Sequence, residues 1–224
     1  MKQKVFYTFI ALFITYNMTA QNKLIYVGDP MCSWCYGFAP QLDKLVAKHK
    51  SDLELVLVTG GLRPYNQQSI NDLKEFLTKH WQEVNKRTDQ PFSYNILDRT
   101  EWQYDTEPAC RAVVVVRAMN ATKEFEFFNK IQEAFYNQNK YLGAVESYYP
   151  ILDTLGLDKD MFTSKFQSEE YKELVKKDFK RAGALGVRGF PSVLLETNVE
   201  RIVLSRGYST AEEIERLIMN ALKQ

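Results

Sequence analysis

The most informative part of this 224-residue chain is residues 23–38, KLIYVGDPMCSWCYGF. Residues 23–27 form an apolar, strand-like run, and a helix-like pattern begins at Ser33, so Cys32 and Cys35 lie at a strand–helix junction. Two thiols at this spacing can close a small disulfide and reopen it with little backbone movement. A helix N-terminus favours a thiolate, because its unpaired N–H groups and its dipole stabilise negative charge. The same spacing is also half of a zinc site, so the rest of the sequence must decide between the two.

A β-α-β unit can be read around the two cysteines. Apolar residues recur at three- and four-residue steps between Ser33 and Lys48, and Pro40 inside this helical pattern predicts a kink. Residues 53–58, LELVLV, form a second strand that ends before two consecutive glycines. Because short loops join the strand, the helix and the second strand, the two strands are predicted to be parallel.

The middle of the chain is helical, and strands return only near its end. Helical patterns cover 69–87, with Ser69 as N-cap, then 106–120, with Thr106 as N-cap, then 123–137, 144–155 and 168–185. Residues 191–196 and 201–204 are predicted to form a hairpin. A last amphipathic helix follows Ser209 or Thr210. The predicted order is therefore β-α-β, a helical block, and β-β-α.

The first twenty residues have the features of a secretory signal peptide. Lys2 and Lys4 precede the apolar run 5–16, and Ala20 provides a small residue for cleavage. The run is shorter than the roughly 20 residues that span a membrane, and no second apolar segment of that length follows. We therefore expect export, to a bacterial periplasm, of a protein with no stable membrane span after cleavage. If the segment is not a signal, the protein is cytoplasmic.

The composition narrows the classes of partner and of site. There are 29 basic and 28 acidic residues, with a net charge of +1, which gives no reason to expect nucleic acid as a partner. The chain has three cysteines and two histidines, and none is spaced as a second ligand pair for zinc. A disulfide between Cys32 and Cys35 would constrain little of the unfolded chain, so it would add little stability as a structural bridge. These observations favour a catalytic dithiol and no metal.

Four segments of the chain together resemble the DsbA family of thiol-disulfide oxidoreductases. They are 29–38 (DPMCSWCYGF), 60–64 (GGLRP), 106–112 (TEPACRA) and 186–191 (GVRGFP), and they are most similar to the branch with FrnE-type proteins and predicted protein disulfide isomerases. The resemblance implies an α/β, thioredoxin-like fold with a large all-helical insertion between the second and third strands. It implies a thioredoxin-like domain of residues 21–64 and 186–224 and an insertion of residues 65–185, after the signal peptide 1–20.

The two cysteines and a proline are the main candidate site residues. Cys32, at the exposed start of a helix, is the candidate nucleophile, and the more buried Cys35 is the candidate resolving thiol. From the sequence alone, Pro191 reads equally well as a plain strand-start proline or as a cis-proline. The resemblance implies the cis form, with the backbone at Phe190 pairing with an extended substrate beside the dithiol.

Other residues near the motif have a functional and a structural interpretation. Ser33 and Trp34 are candidates for tuning the dithiol, although ordinary packing also explains Trp34. Asp29 could relay a proton when Cys35 attacks, or it could simply be a turn residue before a proline. Cys110 reads best as a packed core thiol, with a regulatory or resolving role as the alternative. Both histidines read as surface or packing residues.

The sequence predicts an enzyme that forms, reduces or isomerises protein disulfides through a mixed disulfide at Cys32. Its substrates would be cysteine-containing proteins or peptides, its recycling partner is not identified by the sequence, and no cofactor is needed beyond the Cys32–Cys35 couple. DsbA has proline and histidine where this chain has Ser33 and Trp34, so the direction of electron flow does not follow. The alternatives are a kappa-class glutathione transferase or 2-hydroxychromene-2-carboxylate isomerase, which typically carry serine at the position of Cys32, and a peptide-binding chaperone module.

Overall fold

A four-stranded mixed sheet is the framework of the protein. The computed structural model describes residues 21–223, and the predicted signal peptide lies outside them. The strands are β1 (Lys23–Gly28), β2 (Glu54–Thr59), β3 (Ser192–Glu196) and β4 (Arg201–Arg206), in the order β2-β1-β3-β4. β1 and β2 are parallel, as predicted, whereas β3 runs antiparallel to both β1 and β4. The predicted α/β, thioredoxin-like fold is confirmed.

Eight α-helices surround this sheet in the described residues. They are α1 (Ser33–His49), α2 (Lys74–Thr88), α3 (Glu107–Met119), α4 (Glu124–Tyr136), α5 (Tyr149–Leu155), α6 (Lys159–Gln167), α7 (Glu169–Ala184) and α8 (Ala211–Ala221). Helices α2 to α7 all lie between β2 and β3 in the chain, which confirms the predicted helical insertion. No helix in residues 21–223 is long and apolar enough to cross a bilayer.

Helix α6 was not predicted. It has nine residues, and the side chain of Asp158 caps it by accepting a hydrogen bond from the Met161 N–H at 2.7 Å. Phe162 and Phe166, one turn apart, are the buried residues of this helix. An N-cap aspartate before a pair of aromatic residues at i and i+4 is the signal that could have revealed it. Two apolar positions are too few for a convincing periodicity.

Two predicted N-caps have different roles in the structure. The α-helix predicted from Ser69 begins only at Lys74, because residues 71–73 form a 3₁₀ turn, and the Ser69 hydroxyl accepts from the Asp72 N–H in that turn. Thr106 precedes α3 as predicted, but its hydroxyl accepts from the Arg63 N–H at 3.1 Å instead of capping the helix. This hydrogen bond fastens the loop after β2 to the start of α3.

Candidate active site

The two cysteines of the motif occupy different positions on α1. Cys32 is the N-cap residue, with extended backbone angles (φ −93°, ψ 116°), so its sulfur lies at the end of the helix where N–H groups are unpaired. Cys35 lies in the first turn and is completely buried, whereas Cys32 retains 5% of its surface. All three cysteines are free thiols in this structure. The predicted exposure of Cys32 is therefore wrong, because the cis-proline loop covers this residue, but Cys32 does retain more surface than Cys35.

A cis peptide bond lies against the outer sulfur. The bond between Phe190 and Pro191 is cis, the geometry that the resemblance implies. The Sγ of Cys32 is 3.7 Å from the backbone oxygen of Phe190. Pro191 is buried, and its carbonyl accepts from the Gly207 N–H at 2.8 Å, which anchors the loop to the chain after β4. The site is thus formed by the starts of α1 and of β3.

The two consecutive glycines after β2 make room for this loop. A Cβ on Gly60 would overlap the ring of Phe190, and Gly61 has a positive φ of 69° that favours glycine. In the sequence, segment 60–64 has significance only through the family resemblance. Its physical role is to let the loop after β2 approach the cis-proline loop closely.

The inner thiol is surrounded by groups that act on its pKa in opposite directions. Burial raises the pKa of Cys35 well above the ordinary value for a thiol, and the neighbouring Cys32 raises it further. The backbone N–H of Asp29 and the hydroxyl of Tyr26 face the sulfur and lower this pKa. The Tyr26 hydroxyl is buried without a hydrogen bond of ordinary geometry. From the sequence, Tyr26 is only a residue of a buried strand.

Asp29 is a structural anchor of the active-site loops. Its carboxylate is completely buried and accepts hydrogen bonds from the N–H of Met31 at 2.8 Å and of Leu62 at 2.6 Å. Burial raises the pKa of this carboxyl, although these two hydrogen bonds lower it. The backbone of Asp29 faces Cys35, while its carboxylate joins the turn before α1 to the loop after β2. Asp29 is therefore more than a turn residue before a proline, because its carboxylate positions the two active-site loops.

Cys110 belongs to the same buried network. It lies in the first turn of α3, is fully buried, and donates its S–H to the Asp29 carboxylate at 3.4 Å. Burial, followed by the charge of Asp29, raises the pKa of Cys110 well above its ordinary value. Cys110 is buried, as expected for a packed core thiol. It also donates a hydrogen bond to Asp29.

The remaining motif residues line the surface around Cys32. Ser33 and Trp34 are half-buried and border a cavity of about 210 Å³ that contains Cys32. Trp34 also borders a second cavity of about 600 Å³, where its ring lies 6.3 Å from that of Tyr208. Several residues of these walls were not predicted, because they come from the loop after β2, from α2 and from the loop before α8. These residues are Arg63, Phe76, His80, Lys86, Arg87 and Tyr208. Among residues 21–223, no three histidine, cysteine, aspartate or glutamate side chains converge on a metal-sized site.

The arrangement of an N-cap cysteine beside a cis-proline can be compared with known proteins. The sequence model of the DSBA-like thioredoxin domain matches residues 23–212. This chain belongs to the DsbA-like family. Members of the family are thiol-disulfide oxidoreductases that act on cysteine-containing substrates, so this DsbA-like protein is an enzyme of that class.

Three solved structures illustrate the range of similarity. A candidate protein disulfide isomerase from Nitrosomonas europaea is 32% identical with a TM-score of 0.81, over 91% of this chain and 98% of that one. The cytosolic disulfide reductase DsbM from Pseudomonas aeruginosa is 24% identical with a TM-score of 0.75, over 90% and 98% of the two chains. DsbA from Xylella fastidiosa is 12% identical with a TM-score of 0.59, over 91% and 85%. No curated protein sequence matches this DsbA-like chain.

Proposed function

We propose that this DsbA-like protein is exported and exchanges electrons between the Cys32–Cys35 couple and cysteines of other proteins or peptides. The observation that carries the proposal is the Sγ of Cys32, at a helix N-terminus, 3.7 Å from the Phe190 carbonyl beside a cis-proline. A substrate sulfur that meets Cys32 there also meets the backbone of Phe190. The two electrons reside in the dithiol, so the reaction needs no other cofactor.

The reaction proceeds in two exchange steps. In the reductive direction, the Cys32 thiolate attacks a substrate disulfide, forms a mixed disulfide and releases one substrate thiolate. Cys35 then loses its proton and attacks the Cys32 sulfur, which forms the Cys32–Cys35 disulfide and releases the second substrate thiolate. The substrate gains two electrons and the dithiol loses two. The same steps in reverse form a substrate disulfide, and an external redox partner returns the couple to its starting state.

The surrounding residues have distinct roles in this proposal. Pro191 has no N–H, so the backbone at Phe190 is left to pair with an extended substrate. Ser33 and Trp34 border the cavity in which the attacking sulfur lies, and they tune its surroundings. Asp29 acts through its backbone N–H, which faces Cys35, and through a carboxylate that holds the loops in place.

Two cysteine substitutions test the chemistry. Cys32→Ser should abolish the reduction of insulin disulfides, because no thiolate remains to form the mixed disulfide. Cys35→Ser should accumulate the mixed disulfide, visible as a covalent adduct by mass spectrometry. Cys110→Ser is the control, since it keeps a donor to the Asp29 carboxylate and removes a thiol that forms no bond in either step. Full insulin reduction by the Cys32→Ser variant would refute the proposal.

Export is tested separately from the chemistry. The family fold does not decide the compartment, since the similar DsbM protein is cytosolic. The proposal of export therefore depends on residues 1–20, with their lysines and apolar run. Residues 1–30 fused to an alkaline phosphatase lacking its own signal should give an active periplasmic enzyme, and the processed native protein should begin at Gln21. A cytoplasmic, unprocessed product would contradict export without affecting the redox proposal.

The reduction potential of the Cys32–Cys35 couple decides the direction of electron flow. A potential near the roughly −120 mV of a strong oxidant would identify a disulfide-forming enzyme, and one near the roughly −270 mV of thioredoxin a reductase. Equilibration with glutathione buffers of known ratio, followed by quantification of the two thiols, measures this potential directly.

A further inference from the structure

Three cavities meet at Phe190, next to the sulfur of Cys32. The first, of about 210 Å³, contains Cys32 itself and is bordered by Arg63. The second, of about 600 Å³, extends from Trp34 to the end of α2. The third, of about 510 Å³, lies on the other side of the cis-proline loop, beside Arg206. Phe190 borders all three, and we refer to the three adjoining cavities together as the Phe190 groove.

The charged residues that border the Phe190 groove are almost all basic. There are five cations and one acid, and the cations are Arg63, Lys86, Arg87, Arg188 and Arg206, with Glu83 as the acid. Four of the cations are exposed and Arg63 is half-buried. For a chain with a net charge of only +1, this is a strong local excess of positive charge.

None of these five cations has an ion-pair partner in residues 21–223. Many exposed lysines elsewhere do have one, such as Lys74 with Asp98 and Lys172 with Glu169. The groove cations therefore keep their full charge for a ligand. A cleft bordered by charges of one sign raises the local concentration of ligands with the opposite charge.

Two of the cations are held in place by aromatic rings instead of carboxylates. The guanidinium of Arg63 lies 5.7 Å from the ring centroid of Phe76, and that of Arg87 lies 5.9 Å from the ring of Tyr208. A cation–π contact orients a guanidinium without neutralising its charge. Both rings belong to the groove wall or its immediate border, so an apolar surface and positive charge alternate along it.

We infer that the Phe190 groove binds a polypeptide whose reacting cysteine is flanked by aspartate or glutamate residues. The inference rests on the proposed function, in which a substrate sulfur reaches Cys32. A polypeptide suits the groove better than a small thiol, because the cations border three adjoining cavities and lie on both sides of the cis-proline loop. The aromatic surfaces of Trp34 and Tyr208 would pack against the chain between its acidic side chains.

Peptides of equal length and different charge test the inference. Each carries one cysteine as a pyridyl disulfide, flanked by glutamates, glutamines or lysines. Attack by the reduced Cys32 forms a mixed disulfide and releases 2-thiopyridone, whose absorbance gives the rate. At low ionic strength the glutamate peptide should react about tenfold faster than the lysine peptide. The ratio should fall toward one in about 1 M salt, where charges on the surface are screened.

Two double variants distinguish an effect of the groove cations from an effect of the net charge of the protein. Lys86→Gln with Arg87→Gln removes two groove cations and should lower the glutamate-to-lysine rate ratio at least about threefold. Lys50→Gln with Arg216→Gln removes the same charge from two exposed residues that border none of the three cavities, and it should preserve the ratio. Equal losses in both variants would show that only net charge matters and would overturn the inference.

The remaining outcomes distinguish the inference from the proposed function. If no peptide reacts with wild-type Cys32, the proposed function fails. If all three peptides react equally in low salt, the function stands and the acidic preference is wrong. Glutathione disulfide provides carboxylates on a tripeptide, with only one residue on either side of its cysteine. If its rate falls as much in the Lys86→Gln and Arg87→Gln variant as that of the glutamate peptide, the assignment to a polypeptide is overturned.

Discussion

At the scale of single residues, the resolving step poses an electrostatic problem. Cys35 must become a thiolate to release the substrate, yet its complete burial disfavours charge. The Tyr26 hydroxyl faces the Cys35 sulfur and lowers its pKa, and it has no hydrogen bond of ordinary geometry in the described part of the chain. A Cβ on Gly28 would come within 2.5 Å of this hydroxyl, so the glycine at the end of β1 leaves room for the Tyr26 side chain. We therefore regard Tyr26 as a positioning and donor residue for Cys35.

Tyr26→Phe tests this role. Without the hydroxyl, the pKa of Cys35 should rise further, because burial is then opposed only by the Asp29 N–H. A hydrogen bond of modest strength contributes about 1 kcal/mol, so release of the mixed disulfide should slow by roughly fivefold. Single-turnover kinetics with a preformed mixed disulfide measures this step, and its pH profile should shift upward. A slower reaction with an unmoved pH profile would indicate a structural effect instead.

Some of these residue roles could be predicted from the sequence, and others could not. The order of Cys32 and Cys35 follows from their spacing on a helix, which is a local property. Tyr26 was not recognised, because a tyrosine in an apolar strand looks like any core residue. The contacts of Asp29 depend on Leu62 and Cys110, which lie 33 and 81 positions along the chain and become neighbours only in the fold.

At the scale of secondary-structure elements, one arginine connects the helical insertion to the sheet. The guanidinium of Arg117, on α3, donates to Glu124 of α4 at 2.6 Å and to Asp178 of α7 at 2.8 Å. It also donates to the Leu57 carbonyl of β2 at 2.9 Å, while Asp178 accepts from the Thr59 N–H at 3.0 Å. Three helices are thus fixed against the strand that precedes the active-site loop. Such a buried charged cluster is costly to break on one side only.

Glu124→Gln tests the electrostatics of this cluster through pH. Burial raises the pKa of Glu124 from 4.5 to about 7, because the loss of hydration outweighs the attraction of Arg117. An acid whose pKa is raised on folding adds stability below its unfolded pKa and loses it as the pH rises through the folded value. The variant cannot titrate there. Its free energy of unfolding, relative to wild type, should therefore increase between pH 4.5 and 7.5.

Urea unfolding at several pH values measures this difference. Glu126→Gln provides the matched control, because Glu126 lies on the same helix but is an exposed partner of Lys123. Its difference from wild type should be nearly constant over the same range. A constant difference for Glu124→Gln as well would contradict the raised pKa.

The elements themselves were largely predictable, since most of them have clear periodicity. The β-α-β unit, the hairpin and the helix after Thr210 follow from local patterns, and Thr210 forms a full capping box with Glu213. Short elements were less visible, as the missed helix α6 and the 3₁₀ turn before α2 show. The connection through Arg117 could not be predicted, because its partners come from three other elements, α4, α7 and β2.

At the scale of the whole molecule, the two predicted domains share one hydrophobic core. Tyr26 of β1 packs edge-on against Phe128 of α4, with ring centroids 5.7 Å apart. Tyr36 of α1 stacks on Tyr136 of α4 at 4.9 Å and donates a hydrogen bond to Glu133. The buried cluster runs without interruption from the sheet into the helical insertion. Residues 65–185 form a continuous insertion between β2 and β3. We therefore propose that they fold and unfold together with the thioredoxin-like part, and not as an independent domain.

Phe128→Ala tests whether the protein unfolds as one unit. Removing this fully buried ring should cost about 3–5 kcal/mol. If folding is cooperative, hydrogen exchange measured by mass spectrometry should show the same loss of protection in β1 and in α4. Met161→Ala, at a half-exposed position on α6, is the control and should change neither. Loss of protection confined to the insertion helices would show that the thioredoxin-like part is stable on its own, because the Tyr26–Phe128 contact would then not couple the two.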